Sequence, residues 1–217
     1  MNQTPLSKRQ RGRPSLKKPV MAREALLRSA LTVFSQKGFD AASVREIAAG
    51  GGVDSALIRH HFGSKLELWQ AVVDFLADKS QRRRDQLVAT VTDKHLETRE
   101  LLTLFIESFL EGSAEVPEMG MFISHEATSD GERIAYIVER LIRPLYNELL
   151  PIVKAGIAEG VLAAQNPKLF FFMLVHAVAM PLAFPGLLNL FGGAKVGSPT
   201  FNRQLKEAVK GTFLTPA

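Results

Sequence analysis

Two short helical segments on either side of a glycine run constrain the fold of this chain more than any other sequence feature. The first segment ends at Gly50-Gly51-Gly52, because consecutive glycines do not favour the continuation of a helix. The second segment follows Asp54, a residue type that favours helix N-termini, and extends to His61. This stretch therefore predicts a short helix, a tight turn and a second short helix.

The segments before and after this pair also have helical spacing. From Met21 onward, apolar residues recur every three or four positions, which is the spacing of one helix face. Ser43 with Glu46, and Ser64 with Glu67, have the spacing of a capping box, in which two side chains bond to free backbone N–H groups. These pairs predict the N-termini of the second and fourth helices.

The rest of the chain has few strand signals, so we predict an all-α fold. Residues 101–110 have helical periodicity, and the Gly-, Ser- and Pro-containing residues 111–118 predict a loop. Residues 132–159 predict one long helix or two, with Pro144 and Pro151 at a kink, a start or a break. A second helix-rich region is therefore expected after the first four helices.

Positive charge is concentrated at the N-terminus. The formal net charge of the whole chain is +5, and the first twenty residues contain six basic residues and no acidic one, which leaves a net charge of −1 on the remainder. The six are Lys8, Arg9, Arg11, Arg13, Lys17 and Lys18. We expect residues 1–20 to form a disordered arm that is attracted to polyanions, nucleic acid first. The alternative is an arm that only increases solubility.

Composition excludes several kinds of chemistry. The chain has no cysteine, so disulfides, thiolate metal sites and cysteine nucleophiles are excluded. We find no phosphate-binding loop, nucleophile elbow or metal-spaced cluster, and therefore expect neither an enzyme nor a bound cofactor. His60 and His61 are adjacent, and adjacent helical residues diverge by about 100°, so we expect no metal site there. The polar, basic first twenty residues lack a secretory signal, and we expect a cytoplasmic protein.

A short helix, a tight turn and a second helix form a helix-turn-helix, whose second helix can enter the DNA major groove. Beyond that general pattern, the segment from Arg23 to Trp69 resembles the DNA-binding domain of the TetR family. The residues that carry the resemblance are Ala30, Phe34, Gly38-Phe39, Val44-Arg45-Glu46-Ile47-Ala48, Gly52-Val53, His61-Phe62 and Ser64-Lys65-Leu66. The resemblance covers about a quarter of the chain. It implies a homodimeric transcriptional regulator that binds an inverted repeat in double-stranded DNA and responds to a small molecule.

The resemblance also implies which residues contact the DNA backbone. Ser43, His61 and Lys65 lie at positions where the family makes such contacts, and we expect His60 to contact phosphate or to cap its helix. Arg59 stands where the family usually has a tyrosine that touches phosphate. A guanidinium is a good phosphate donor, so the role is compatible with the substitution. Gly51 also departs from the family, which often has alanine there.

Base reading is assigned by the same resemblance to Ser55, Ala56 and Leu57, at the start of the recognition helix. One hydroxyl and two apolar side chains form a sparse reading surface. Arg11 and Arg13, in the sequence Arg11-Gly12-Arg13-Pro14, resemble the core of an AT-hook, whose arginines follow a narrow minor groove. We therefore hypothesise that the arm adds specificity.

The C-terminal region contains an uncharged stretch, residues 169–194, long enough to span a membrane. Pro181, Pro185 and Gly192-Gly193 interrupt it, which favours a buried or interfacial helix. Family members commonly dimerise through their last two long helices, which here correspond to residues 167–190 and 199–214. The second of these has an apolar stripe that we expect at the dimer interface: Phe201, Leu205, Ala208, Val209 and Phe213.

The family's effector pocket lies among the central helices. The residues predicted to bind the effector are Phe105, Phe109, Phe122, His125, Phe171 and His176. Most apolar members of this set are also compatible with ordinary core packing.

The predicted organisation is an arm at residues 1–20, a helix-turn-helix domain at 21–68, and a helical effector-binding and dimerisation domain at 69–217. The predicted function is transcriptional regulation, repression being the family's commoner mode and activation remaining open. The competing interpretation is a helical adapter or membrane-associated module that uses the basic arm and the apolar C-terminal stretch.

Overall fold

The computed structural model describes residues 17–92, 95–128 and 131–216, and the side chains from residue 23 onward within these ranges. All regular structure in these residues is helical, as the sequence predicts. The helices are α1 (Lys17–Ala41), α2 (Val44–Gly50), α3 (Ser55–Phe62), α4 (Lys65–Val91), α5 (Thr98–Glu115), α6 (Glu118–Ala127), α7 (Glu132–Ile137), α8 (Arg143–Ala158), α9 (Pro167–Ala183), α10 (Pro185–Leu188) and α11 (Pro199–Phe213). A π-helical segment (Val138–Ile142) joins α7 to α8, and a 3₁₀ turn (Asn189–Phe191) follows α10.

The short helices α2 and α3 begin and end where the sequence predicts. The carboxylate of Asp54 accepts a hydrogen bond of 2.7 Å from the backbone N–H of Ala56 and so caps α3. Gly52, in the turn, has a φ of +66°, which favours glycine. The hydroxyl of Ser64 accepts from the N–H of Glu67 and caps α4, which is one half of the predicted capping box. The other half is not formed, because the N–H of Ser64 donates to the carbonyl oxygen of Phe62. Helix α1 is interrupted at Gly38 by a φ of +74°.

The predicted capping box at Ser43 is wrong. Ser43 does lie at the N-cap of α2, but its side chain makes no capping hydrogen bond. Glu46 turns away from the cap, and its Oε1 lies 2.6 Å from Nζ of Lys37 at the end of α1. The ion pair between helices competes successfully with the local cap, and the exposed hydroxyl of Ser43 is left available.

The first of two hydrophobic cores joins the helix-turn-helix to α6 and α7. Trp69 of α4 lies at its centre, with ring centroids 5.7 Å from Phe122 of α6 and 6.2 Å from Tyr136 of α7. Phe34 of α1 packs against the same Phe122, at 6.4 Å. Helix α1 packs more extensively on α6 than on any other helix. We call this the junction core, because helices on both sides of the predicted 68/69 boundary build it.

The second core is formed by α5, α8, α9 and α11. Val209 of α11 is buried in it, and Leu205 and Phe213 pack against it from the same helix. Val209 therefore faces the chain's own interior, and the prediction that it lies at the dimer interface is wrong. Leu205 and Phe213 are half-buried against the same core, and their place at a dimer interface stays a prediction. The ring of Phe213 lies 5.5 Å from that of Phe170 on α9, which shows why the stripe turns inward.

Helix α9 is apolar on both faces, and only one of them is covered. Phe170, Phe171, Leu174 and Val178 are buried. The opposite face, formed by Leu169, Phe172, Met173 and His176, is exposed; we call it the α9 face. The exposed apolar surface continues beyond α9 through Phe184 and Leu187 to Leu190 and Phe191, the last two of which are more than 80% exposed.

The predicted loop at residues 111–118 is also wrong, because α5 continues to Glu115 and only Val116 and Pro117 separate it from α6. Gly112 lies inside α5, where the side chain of Arg83 passes close to it. A Cβ at Gly112 would lie 3.0 Å from Arg83 Nε. Residues 132–158 form one continuous helical run in which the π segment precedes Pro144, whereas Pro151 lies within α8.

Within the described ranges, no single helix is long and apolar enough to cross a membrane. Helix α9 and the Pro185–Phe191 segment meet the length and composition test together, but a bend of 73° separates them.

Candidate functional site

Helix α3 presents a polar, basic face beside the exposed N-terminus of α2. Ala56, Arg59, His60 and His61 are exposed, and Ser55 and Leu57 are half-buried at the start of the helix. The opposite face of α3 is held in the junction core by Ile58 and Phe62. The predicted contacts on α3, and Ser43 at the N-cap of α2, are therefore exposed or half-buried, and none of them is buried in the core. Arg11 and Arg13 lie outside the described residues.

Lys65 differs from the other predicted DNA contacts, because its ammonium group is bonded within the protein. Its ammonium group donates to the carbonyl oxygens of Phe39, Asp40 and Ala42, at 2.8, 3.2 and 3.1 Å. It also lies 4.5 Å from the centroid of the Phe39 ring. All three N–H donors are therefore occupied by carbonyls at the end of α1 and at Ala42, and Lys65 holds this part of the chain against the start of α4.

A second cation reaches Phe39 from α7. The Arg133 guanidinium lies 4.4 Å from the Phe39 ring centroid, and its Nε donates to the carboxylate of buried Glu126 at 2.7 Å. Its terminal nitrogen lies 3.7 Å from the carboxylate of Asp40. Arg133 thus connects α6 and α7 to the end of α1. Sequence reasoning missed this residue, because no periodicity or motif indicates a contact between two segments so far apart along the chain.

Three further polar contacts connect α1 and α4 to the helices that follow. Nε2 of His125 lies 3.0 Å from the carbonyl oxygen of Ser35 on α1. Asp74 of α4 accepts from the hydroxyl of Tyr136 at 3.0 Å and from Nε of Arg140 at 2.8 Å. Burial, and next the hydrogen bond to Asp74, raise the pKa of Tyr136 above its ordinary value. The hydroxyl therefore remains a neutral donor to Asp74.

The predicted effector residues do not come together in one pocket. Phe122 lies in the junction core and Phe171 in the second core. His125 contacts α1, and His176 lies on the exposed α9 face, with Nδ1 2.7 Å from the carbonyl oxygen of Phe172. Phe105 and Phe109 do stay together, with rings stacked at 6.0 Å.

Two clefts open beside α4. One, of about 500 Å³, lies between the start of α4 and α7, and is lined by Leu66, Trp69, Gln70, Glu126, Gly131, Glu132, Arg133, Ile134 and Tyr136. The other, of about 260 Å³, lies between the middle of α4 and α5, and we call it the α4–α5 cleft. It is lined by Leu76, Lys79, Ser80, Arg82, Arg83, Gln86, Phe109, Gly112, Ser113, Glu115, Val116 and Met119. Of the predicted effector residues, Phe109 lines this second cleft.

The all-α architecture and the exposed helix-turn-helix surface define a helix-turn-helix protein with a larger helical C-terminal region. Comparison with known proteins agrees. Residues 26–72 match the model of bacterial regulatory proteins of the tetR family. This match identifies residues 26–72 as a DNA-binding domain of the tetR family type.

The similar proteins are regulators with varied modes of action. The HTH-type transcriptional dual regulator CecR of Shigella flexneri is 27% identical over 62% of this chain and 64% of CecR. The HTH-type transcriptional repressor KstR2 of Mycolicibacterium smegmatis is 34% identical over 42% of this chain and 43% of KstR2. The chain thus spans less than two thirds of these curated relatives.

Similarity of fold extends over nearly the whole chain. The crystal structure of AibR in complex with isovaleryl coenzyme A and operator DNA has a TM-score of 0.67 and 20% identity, covering 90% of this chain and 100% of AibR. This neighbour supports the arrangement of helices in both the N-terminal and the C-terminal region.

Proposed function

We propose that this protein is a repressor that binds an inverted-repeat operator as a homodimer and is released from it by a small-molecule effector. The observation that carries the proposal is the exposed polar face of α3 within the segment that matches the tetR family model. A helix with one buried apolar face and one exposed basic face is suited to the major groove. We propose no enzymatic activity.

The proposed DNA contacts divide into two sets. Ser43, Arg59, His60 and His61 are exposed polar groups that are suited to phosphate, and they would position the protein on DNA without reading its sequence. Base reading is left to the first turn of α3: Ser55, Ala56 and Leu57. We leave Lys65 out of the first set, because its donors are occupied by backbone carbonyls. Arg11 and Arg13 of the arm remain proposed contacts to the minor groove.

Homodimerisation is supported by the α9 face. An exposed apolar surface of this kind marks an interaction site, and no charged residue occurs between Leu169 and Ala194. A two-fold axis beside α9 would bring Phe172 and Met173 of each protomer against the same face of the other, as a self-complementary interface requires. The resulting pair of α3 helices would bind two half-sites about one helical turn apart.

Release by an effector is supported by the position of α4, which adjoins both clefts and also carries the contacts from Lys65 and Trp69 to the helix-turn-helix. A ligand that binds the non-DNA-binding conformation more tightly would shift the dimer away from DNA. Repression is the proposed mode on the precedent of KstR2, while CecR, named a dual regulator, makes activation the alternative to test. A DNA partner implies a cytoplasmic site of action.

The test is selection of the full-length protein against a randomised duplex library, followed by fluorescence anisotropy with the selected and a scrambled duplex across a range of salt concentrations. We expect an inverted repeat, bound at least about a thousandfold more tightly than scrambled DNA. Deletion of residues 1–19 should weaken binding and flatten the salt dependence, because the arm's cations release counterions. Binding without any selected motif would contradict the proposal and favour the adapter or membrane-associated alternative, which liposome flotation would test.

A further inference from the structure

The floor and the rim of the α4–α5 cleft differ in chemistry. Leu76, Phe109, Val116 and Met119 supply an apolar floor, and Phe105 stacks behind Phe109. The volume, about 260 Å³, is just below the range of about 300–1,000 Å³ that is typical of small-molecule sites. The cleft is therefore suited to a small ligand, or to the apolar part of a larger one.

The rim carries uncompensated positive charge. Arg83 is neutralised by Glu111, at 3.3 Å, and by Glu115. Lys79 and Arg82, which also line the cleft, form no ion pair with any described residue. Lys79 Nζ lies 5.8 Å from the centroid of the Phe75 ring, a weak contact that leaves its charge without a carboxylate partner among the described residues. Because Glu115 is already held by Arg83, an anionic group at the rim would meet two cations that have no such partner.

A buried polar group lies between floor and rim. Ser113, on α5, is 3% exposed, and its hydroxyl has no hydrogen-bond partner among the described residues. Leaving a buried hydroxyl unpaired is unfavourable, so most such groups in folded proteins have a partner. A ligand with a polar atom near the apolar floor would supply one.

We propose that the α4–α5 cleft binds a small amphipathic anion, with its apolar body on Phe109 and Met119 and its acidic group at Lys79 and Arg82. The inference rests on the proposed function, since it names the chemical class of the effector. Lys79 and Arg82 belong to α4, the helix that begins beside the helix-turn-helix, so a ligand there is placed to change the position of α4.

The test compares two fluorescent probes that share one ring system. One is 8-anilinonaphthalene-1-sulfonate, an amphipathic anion, and the other is N-phenyl-1-naphthylamine, which lacks the sulfonate. Each is titrated into the full-length protein, and the dissociation constants are compared with those of the K79Q/R82Q variant. We expect the variant to bind the anionic probe about three- to tenfold more weakly, because it loses two partly exposed ion pairs, and to bind the neutral probe within about twofold of wild type.

Two further variants separate the cleft from other apolar surfaces. Lys154→Gln removes an exposed cation on α8 that forms no ion pair among the described residues, and it should change neither titration. Ser113→Leu fills the cleft and should reduce the binding of both probes, leaving only the signal from the α9 face. Lys79 and Arg82 are not buried, so their replacement tests the inference even if Ser113→Leu does not fold.

Two results would overturn the inference: equal weakening of both probes in K79Q/R82Q, or equal affinity of the anionic probe for that variant and wild type. Operator binding is measured on the same preparations. Specific DNA binding together with either of these results rejects the ligand class and leaves the proposed function intact. Charge-selective probe binding without specific DNA binding rejects the proposed function and keeps the cleft as a binding site.

Discussion

The junction core and the α9 face contain similar side chains, yet one is sealed and the other is open. In the junction core, helices from both sides of the predicted 68/69 boundary surround Trp69, which is 1% exposed. On the α9 face, Phe172 is 45% exposed although α9 is the most apolar long helix of the chain. Apolar composition therefore does not distinguish interior from interface. What differs is whether another helix of the same chain covers the surface.

Removal of the Phe122 side chain tests whether the junction core is a single unit, and has the largest expected effect. Phe122→Ala should lower the free energy of unfolding by about 3–5 kcal/mol, because it leaves a cavity between Trp69 and Phe34. Trp69 is the only tryptophan, so its fluorescence reports on this core while circular dichroism reports on all helices.

Both signals should give one urea transition, shifted together in the variant, at a fixed protein concentration. Leu66→Ala is the control: Leu66 is 42% exposed on the same helix as Trp69, and its loss should cost less than about 1 kcal/mol. A tryptophan transition at lower urea concentration than the loss of helix would contradict the prediction, because the helix-turn-helix would then unfold separately from the rest of the chain.

Removal of the Phe172 side chain from the α9 face should weaken dimerisation and leave the stability of the monomer nearly unchanged. Phe172→Ala should change the unfolding free energy of the monomer by less than about 0.5 kcal/mol but weaken dimerisation by about thirtyfold, as expected for an aromatic residue at the centre of an interface. Sedimentation velocity across a dilution series measures the second quantity. Val88→Ala removes an apolar side chain of similar exposure from α4 and should leave the dimer unchanged. An unaltered dimer in Phe172→Ala would show that another surface joins the protomers.

Replacement of Arg133 tests how much its polar contacts stabilise the junction core. Arg133→Gln should lower the unfolding free energy by about 1–2 kcal/mol, because it removes a charged partner of buried Glu126 and a cation from the Phe39 ring. Arg143→Gln breaks an exposed pair with Glu139, four residues away, and should cost less than about 0.5 kcal/mol. Thermal and urea unfolding measure both. Equal effects would mean that Arg133 is only a surface residue.

The N-terminal helices were predictable because each has a single covered face and a strong local start or stop signal. Asp54 caps α3 and Ser64 caps α4, as their spacing predicts, and Gly38 interrupts α1. The box at Ser43 failed because Glu46 prefers Lys37, and Lys37 lies on another helix. Capping rules based on neighbouring residues do not include an ion pair with another helix.

In the C-terminal helices, tertiary neighbours decide which apolar faces are buried, and the sequence alone indicates this less well. Gly112 reads as a loop residue, yet it lies inside α5 beneath Arg83. The stripe on α11 is apolar, as predicted, but its periodicity does not indicate whether a helix of the same chain or of a partner covers it. Phe170 of the same chain packs against Phe213 of the stripe. The predicted effector residues failed to converge for the same reason, since Phe122 and Phe171 pack in different cores.

Lys65 and Arg59 allow the smallest but sharpest test, because both are basic residues of the helix-turn-helix region and only Arg59 is exposed. Lys65→Gln should lower the unfolding free energy by about 1 kcal/mol, since three backbone carbonyls lose a charged donor. It should leave the salt dependence of operator binding unchanged. Arg59→Gln should leave stability unchanged and reduce the slope of log affinity against log salt by about one, as the loss of one phosphate contact requires.

Measured together on one operator, the two variants separate a residue that shapes the DNA-binding surface from one that uses it. A reduced salt slope in Lys65→Gln would mean that the ammonium leaves the carbonyls of Phe39, Asp40 and Ala42 when DNA binds. Lys65 would then bind phosphate in the complex and hold the end of α1 only in the absence of DNA. An unchanged salt slope would mean that Lys65 keeps these carbonyl contacts in the DNA complex.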